Sequence, residues 1–446
     1  MQGWFPDLGN TPAPKYRAIA EALTAAIRAG TLRPGERLPP QRDLARELHV
    51  DLTTVTRAYG IVRDAGLIEA GGRLGSYVRN TADFAAGFAS DDTGMNMPPQ
   101  PGFALLGEAI RTGTAALLRA AGPSPLLQYK PSQGGTHDRI AAAEALTERE
   151  VPAREEEMLI AAGGQHALHA IFGTVFAPGD TVCTGRYIYP GMRALAARFG
   201  LRLRVVESDA GGLDPDALAR AAPGAAVLYI VSTNDNPTTA TLDLSRRAAI
   251  AEIARRHGLT IVEDDAYGLL PAAPLPPIAS LAPERVWHIG SVAKIISPAL
   301  RVAHVRAPSA EAATRLAADL HETAVMAPPL NAALVSLWLR DGSFDRLVAA
   351  VRAEAMARAR IVARHLAGHA HAMQPEGYHL WLPLGASADA DALAAAMRPF
   401  GLSAVPGSAF AAMPGESANA LRISTGGAID HDRLRRALEQ LAELLA

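Results

Sequence analysis

Apolar residues recur at helical spacing through the first 65 positions. In KYRAIAEALTAAIRAG (15–30), Ile19, Leu23 and Ile27 share one face, and Gly30 is the expected stop. TLRPGERLPP is a turn-rich connector. QRDLARELHV places Leu44 and Leu48 on one face of a short helix. DLTTVTRAYGIVRDAG then turns Val55, Tyr59 and Val62 inward behind Asp51 as N-cap. LIEAGGRLGSYV reads as two short strands around Gly71 and Gly72. Three helices and a hairpin predict a winged helix-turn-helix over residues 1–80.

The pattern changes at residue 81. NTADFAAGFASDDTGMNMPPQP is small, polar and Pro-rich, without a sustained period, and predicts a linker over 81–100. From about 105 strands and helices alternate. AAVLYIVS (225–232), LTIVED (259–264) and RVWHIGS (285–291) read as buried strands, and LSRRAAIAEIARRHG (244–258) as an amphipathic helix. Such alternation predicts a parallel sheet covered by helices. GYHLWLPL, LSAVPGS and NALRIS, with helices at 387–398 and 430–446, predict a smaller C-terminal α/β subdomain within a body spanning 101–446.

Length supports this division, because 446 residues exceed one domain of usual size. Net charge is −2, yet residues 1–80 hold 11 Lys/Arg against 8 Asp/Glu, so a basic head precedes an acidic body. One cysteine, Cys183, precludes an internal disulfide and fits a reducing cytoplasm. MQGWFPDLGNTPAPKY lacks a signal-peptide pattern, and no apolar run reaches the length of a membrane helix. A metal site is not expected.

A recognition helix needs short polar side chains near its start to meet base edges, and cations nearby for phosphates. Thr53, Thr54, Thr56 and Arg57 stand at that start. Arg37 and Arg42 flank the preceding helix, and Arg73 sits at the tip of the wing. LPPQRDLARELHV leading into TTVTRAY and a glycine wing closely resembles the DNA-binding domain of GntR-type bacterial regulators over about 15–79. The resemblance singles out Arg42, Thr53, Thr54 and Arg57. Asp51 stands where that family often has Ser, which brings a negative charge near phosphate.

The stretch HIGSVAKIISPALRVAHV (288–305) sets Lys294 among apolar neighbours. A desolvated lysine loses its proton more easily and can attack an aldehyde, and the natural aldehyde is pyridoxal 5′-phosphate, PLP. PLP makes further demands: a carboxylate for its ring nitrogen, groups for its ring hydroxyl, and a helix N-terminus with a cation for its phosphate. IVEDDAYG supplies Asp264 and Tyr267, and NDNPTT supplies Asn236, each past a strand end. AAGGQHALHAIF opens a helix with Gly163, Gly164 and Gln165, while Ser291 and Arg301 flank the lysine.

Together and in this order these pieces closely resemble fold-type I aminotransferases over about 95–440. The resemblance implies that Lys294 carries the cofactor as a Schiff base and that Asp264 pairs with the pyridine nitrogen. It gives the ring oxygen to Tyr267 and Asn236. It also implies ring stacking by Tyr189, with Tyr187 second, and a phosphate contact from Tyr129 of a partner subunit. Arg422 in LRIS takes a ligand carboxylate. Thr239, Ala293 and His304 depart from the common Gly, Ser and Gly, but remove no group the cofactor needs.

A GntR-type head joined to an aminotransferase-like body is the layout of the MocR family. That resemblance implies a PLP-dependent transcriptional regulator, cytoplasmic and a head-to-tail homodimer. It would bind operator DNA and sense an amino compound or PLP through an external aldimine at Lys294. The alternative is an active aminotransferase with an accessory head.

Overall fold

Three amphipathic helices pack on one another at the N-terminus because each carries a single apolar stripe. They are α1 (Lys15–Arg28), α2 (Gln41–Glu47) and α3 (Leu52–Asp64), followed by β1 (Ile68–Ala70) antiparallel to β2 (Ser76–Val78). Ile19, Leu23, Leu44, Val55, Tyr59 and Val62 form the buried core that the periodicity predicts. The Tyr59 hydroxyl donates to the Pro39 carbonyl at 2.7 Å, so its burial strands no polar group. The Asp51 carboxylate accepts from the Thr53 backbone N–H at 2.7 Å and from its hydroxyl at 2.5 Å, which closes the start of α3.

This computed structural model describes residues 4–6, 14–28, 31–33, 35–64, 66–70, 75–79, 94–100, 103–122, 124–413, 415 and 418–445. Gly30, Gly71, Gly72 and Arg73 lie outside them. The chain divides into two units at Asp91–Asp92. Residues 94–100, assigned from sequence to the linker, instead pack within the second unit. Asn96 there is buried, because its side chain bonds to groups far along the chain.

The second unit is built on a seven-stranded sheet. Its strands are β3 (Met158–Ala161), β4 (Thr181–Gly185), β5 (Arg202–Val206), β8 (Val227–Ile230), β9 (Thr260–Asp264), β10 (Val286–Ser291) and β11 (Ala303–Arg306). A small hairpin, β6 (Ser208–Asp209) and β7 (Gly212–Leu213), follows β5. The order is β3-β11-β10-β9-β8-β4-β5. The sheet is mixed rather than wholly parallel, since β11 runs antiparallel to both β10 and β3. The reason is the β10–β11 connection. At 11 residues it is too short for the crossover a parallel return requires.

Successive residues feed opposite faces. Val227 and Tyr229 join one core with Ile171, Leu195 and Leu316, while Leu228 and Ile230 join the other with Leu218 and Ile250. The helix Leu244–His257 stops at Gly258, whose φ of +70° closes its C-terminus. The C-terminal subdomain has β12 (Ala372–Met373), β13 (His379–Pro383), β14 (Ser403–Pro406) and β15 (Ala420–Ser424) in the order β12-β13-β15-β14, with helices Ala390–Met397 and His431–Leu445. Among the described residues no helix is long and apolar enough to cross a membrane.

The loops past β8 and β9 are clasped by one buried cation. Arg247 donates to the carbonyls of Leu242 (3.0 Å), Pro276 (2.9 Å) and Ser232 (3.0 Å) and to the Thr233 hydroxyl (2.9 Å). Replacing it strands several buried acceptors and opens a cavity. Arg247→Ala is therefore expected to cost about 3–5 kcal/mol in denaturant unfolding, with Arg247→Lys intermediate.

Candidate functional site

The C-terminal ends of β8, β9 and β10 lie side by side, and the residues singled out from sequence emerge there. Asp264 ends β9 and Ser291 ends β10. The chain leaves Ser291 through a turn in which Val292, Ile295 and Ile296 are buried, and Lys294 projects from that apolar turn. Burial, then the nearby Arg422 guanidinium, lowers the Lys294 ammonium to about 8, with Asp264 opposing and Arg301 adding to the shift. Its Nζ donates to the Asn96 carbonyl at 2.6 Å, and its own carbonyl accepts from the Tyr378 hydroxyl at 2.6 Å.

Asp264 is nine-tenths buried. Desolvation raises its carboxyl to about 6, against a hydrogen bond donated by the Tyr229 hydroxyl at 3.1 Å. The next residue, Asp265, turns the other way and meets Arg149 at 2.5 Å and His288 at 3.0 Å. Burial pushes Asp265 up, but these two partners hold it well below the usual carboxylate range. Tyr267 is buried, and its hydroxyl accepts from Asn96 Nδ2 at 2.9 Å. The Asn236 amide oxygen is buried with no hydrogen-bond partner, an orphan that a ligand group would satisfy. Tyr189 feels the charges of both Asp264 and Arg301. Burial, then the Asp264 carboxylate, raises its phenol, while Arg301 lowers it.

A second cluster forms at the start of the helix Gly164–Val175. Gly163 caps it with φ +92°, and no side chain caps its first N–H groups. A Cβ at Gly163 would collide with the Arg301 guanidinium, and one at Gly164 would lie 3.5 Å from Ser291 Cβ. At Gly163 the positive φ and the close guanidinium both favour glycine, whereas the Gly164 spacing is an ordinary van der Waals contact. Arg301 adopts φ +51° and donates to the Ala162 carbonyl at 2.8 Å. Helix N–H groups without a side-chain cap, a serine and an arginine converge here, an arrangement suited to an anion. Gln165 is exposed in the first turn of the same helix.

Arg422 on β15 is buried against the Phe410 ring, 5.4 Å from its centre, and donates to the Gly94 carbonyl. Tyr187 has its hydroxyl accepting from Ala418 N at 2.6 Å and its ring 5.0 Å from that of Trp381. A cavity of about 340 Å³ opens beside them, lined by Tyr187, Tyr229, Asp235, Thr238 and Trp381 among others. Tyr129 is not brought to this array within one chain; it is 83% exposed. His304, on β11, is kept neutral by burial, at about 4.

In the first unit, Thr53, Thr56, Arg57, Arg42 and Arg37 are exposed, and Thr54 is partly so. Some are already engaged. Thr53 bonds to Asp51, Thr56 donates to Gln41 Oε1 at 2.8 Å, and the Arg57 guanidinium stacks 4.0 Å from the Tyr16 ring centre. Arg37 lies beside Gly75, which directly precedes β2 of the wing. Among the described residues, no cluster of three or more His, Cys, Asp and Glu is placed to hold a metal ion.

Comparison with known proteins decides the family. Residues 104–441 match "Aminotransferase class I and II" and residues 15–78 match "Bacterial regulatory proteins, gntR family". The chain belongs to the class I and II aminotransferase family. With its GntR head it has the MocR-type layout. It is 28% identical to the vitamin B6 salvage pathway transcriptional repressor PtsJ of Salmonella typhimurium, over 84% of this chain and 86% of that one. It is 31% identical to the 2-aminoadipate transaminase of Thermus thermophilus, over 76% and 88% of the two chains. The structure of the α-aminoadipate aminotransferase LysN from the same organism superposes with a TM-score of 0.71 at 26% identity, covering 81% and 96%.

The cofactor of this aminotransferase family body is pyridoxal phosphate. The residues present fit it: an anion cradle, a buried carboxylate, an orphaned amide and a desolvated lysine occur in one array. Sequence reasoning missed Asn96, Tyr229, Tyr378 and His379. Tyr229 lay inside a strand pattern, and Asn96 inside a stretch that composition marks as linker.

Only a neutral amine adds to an aldehyde. Uptake of pyridoxal phosphate by PLP-free protein, followed by absorbance, should therefore quicken as pH rises and level off above about 8. Lys294→Ala should abolish the lysine-bound absorbance at every pH.

Proposed function

We propose that this chain is a PLP-dependent, DNA-binding transcriptional regulator, cytoplasmic and acting as a head-to-tail homodimer. Its body would sense an amino compound, or pyridoxal phosphate itself. The observation that carries the reading is the pairing, in one chain, of an anion-and-lysine pocket with a head that presents Thr53, Thr54, Thr56, Arg57 and Arg42 around a helix start. The relative PtsJ, a repressor by name and similar over 84% of this chain, supports it. We assign DNA binding to residues 1–80, with Arg37 and Arg73 as phosphate contacts, and effector binding to the body.

Bound in the body, pyridoxal phosphate supplies an electrophilic carbon and an electron-withdrawing ring. Gly163, Gly164 and Gln165 would offer N–H groups to its phosphate, beside Ser291 and Arg301. Asp264, which accepts from the Tyr229 hydroxyl, would keep the ring nitrogen protonated. Tyr267 and Asn236 would hold the ring oxygen, and Tyr189 would stack on the ring. With its ammonium near 8, about a tenth of Lys294 is the free base at pH 7, ready to bond the aldehyde and to move a proton when an amine replaces it. Arg422 anchors an effector carboxylate, and Tyr129 reaches a partner subunit's phosphate site. Occupancy then couples to the heads as a free energy between two sites.

The same free-base lysine and the likeness to 2-aminoadipate transaminase support a second reading, a working aminotransferase with an accessory head. Sequence-specific binding to the DNA upstream of the protein's own gene separates the two. Arg42→Ala is expected to weaken it about fivefold or more and to lower the salt slope by about one. Rapid turnover of common amino acids, without any operator binding by the intact protein, would reverse the ranking.

A further inference from the structure

Residues 94–98 follow directly on the segment that leads from the head, and they run through the ligand site. The Gly94 carbonyl accepts from Arg422, the residue assigned to an effector carboxylate. The Asn96 carbonyl accepts from Lys294 Nζ at 2.6 Å, the atom that must bond the cofactor aldehyde. The Pro98 carbonyl accepts from Gly427 N at 3.2 Å. A Cβ at Gly426 would strike the Met97 carbonyl, so the strand-like crossing at Pro99–Gly427 is tightly packed.

The Asn96 side chain pins this segment with every polar atom used. His379 is neutral, because burial lowers it to about 3, and its Nε2 lies 3.0 Å from the Asp235 carbonyl, to which it must donate. His379 Nδ1 is then an acceptor for Asn96 Nδ2 at 3.1 Å. The other Nδ2 hydrogen goes to the Tyr267 hydroxyl at 2.9 Å, and Asn96 Oδ1 accepts from the Ser424 hydroxyl at 2.7 Å. Asn96 therefore fills a lone pair of Tyr267 and leaves that phenol's own hydrogen to point elsewhere in the pocket.

We propose that residues 94–98 form a strap whose carbonyls stand in for ligand at Lys294 and Arg422, with Asn96 as its positioning residue, so that filling the site releases the strap. When the neutral Lys294 amine condenses with an aldehyde, a C=N bond replaces the C=O bond and the oxygen leaves as water with the two amine hydrogens, so Nζ no longer offers an ammonium to the Asn96 carbonyl. A carboxylate on Arg422 competes with the Gly94 carbonyl and, being charged, makes the stronger hydrogen bond. Both exchanges act on the first described residues after the segment that joins body to head. The inference rests on the sensor reading and gives it a moving part.

Met95 lies between the two contacts and is 46% exposed. Cys183, the one cysteine of the chain, is buried, so Met95→Cys introduces a single accessible thiol. In the full-length protein, the M95C thiol should react with a disulfide reagent several-fold faster after loading with pyridoxal phosphate, with loading followed by absorbance. Adding Asn96→Ala should make the reaction fast beforehand and remove the effect of the cofactor. Hydrogen exchange of residues 94–98 in the wild-type chain should rise on loading, which checks the result without a substitution. Loaded protein with unchanged thiol reactivity and unchanged exchange would overturn the strap, even if operator binding is intact. Loss of operator binding with a responsive strap would overturn the regulator reading alone.

Discussion

A lysine held in an apolar turn is the constraint on which the rest of this site depends. An ammonium in low dielectric is costly, and the neighbouring Arg422 and Arg301 add repulsion, so Lys294 sits near 8 instead of the ordinary lysine value. Asp264 is pushed the opposite way by the same burial, to about 6. Two groups whose affinities for a proton are depressed and raised, in one pocket, are prepared for a ligand that brings a cationic ring nitrogen and an aldehyde together. Gly163 completes the arrangement, since its positive φ and missing Cβ let the Arg301 guanidinium approach the start of the helix that Ser291 also faces.

Around this pocket the scaffold is arranged to keep loops still. Arg247 ties the segments past β8 and β9 to one another, and the Arg149–Asp265–His288 network holds the residue next to Asp264. Buried ions of this kind add little net stability, but they fix where the chain turns. The strap contributes the opposite property. Its contacts with Lys294 and Arg422 are ones a ligand can replace, and that makes it suited to report occupancy.

Much of this was legible beforehand because the signals are local. Helices α1 to α3, the strands β8 to β10 and the stop at Gly258 follow from spacing that each segment carries by itself. So do Lys294, Asp264, Tyr267, Asn236 and the Gly163–Gly164 turn, whose motifs are contiguous. The reversal of β11 was missed because alternation reports that a strand is buried, not which way it runs; connection length decides that. Asn96 was missed because a Pro-rich, aperiodic stretch has the composition of a linker, and nothing local reveals that its amide will be used three times over. Arg57 and Thr53 are exposed as expected of surface positions on α3, but their packing on Tyr16 and bonding to Asp51 needed coordinates.

The sequence by itself determined the two-part layout, the elements of each part, and the residue types that pyridoxal phosphate requires, because these rest on period, caps and short motifs. Only the tertiary structure decided which of them meet. Asn96 and Lys294 are 198 positions apart and Gly94 and Arg422 are 328 apart, and contacts at such separations come from packing. The same holds for the charge states. Desolvation is a property of the surroundings, so a lysine near 8 beside a carboxyl near 6 exists only once the apolar turn, the sheet ends and the strap have closed around them.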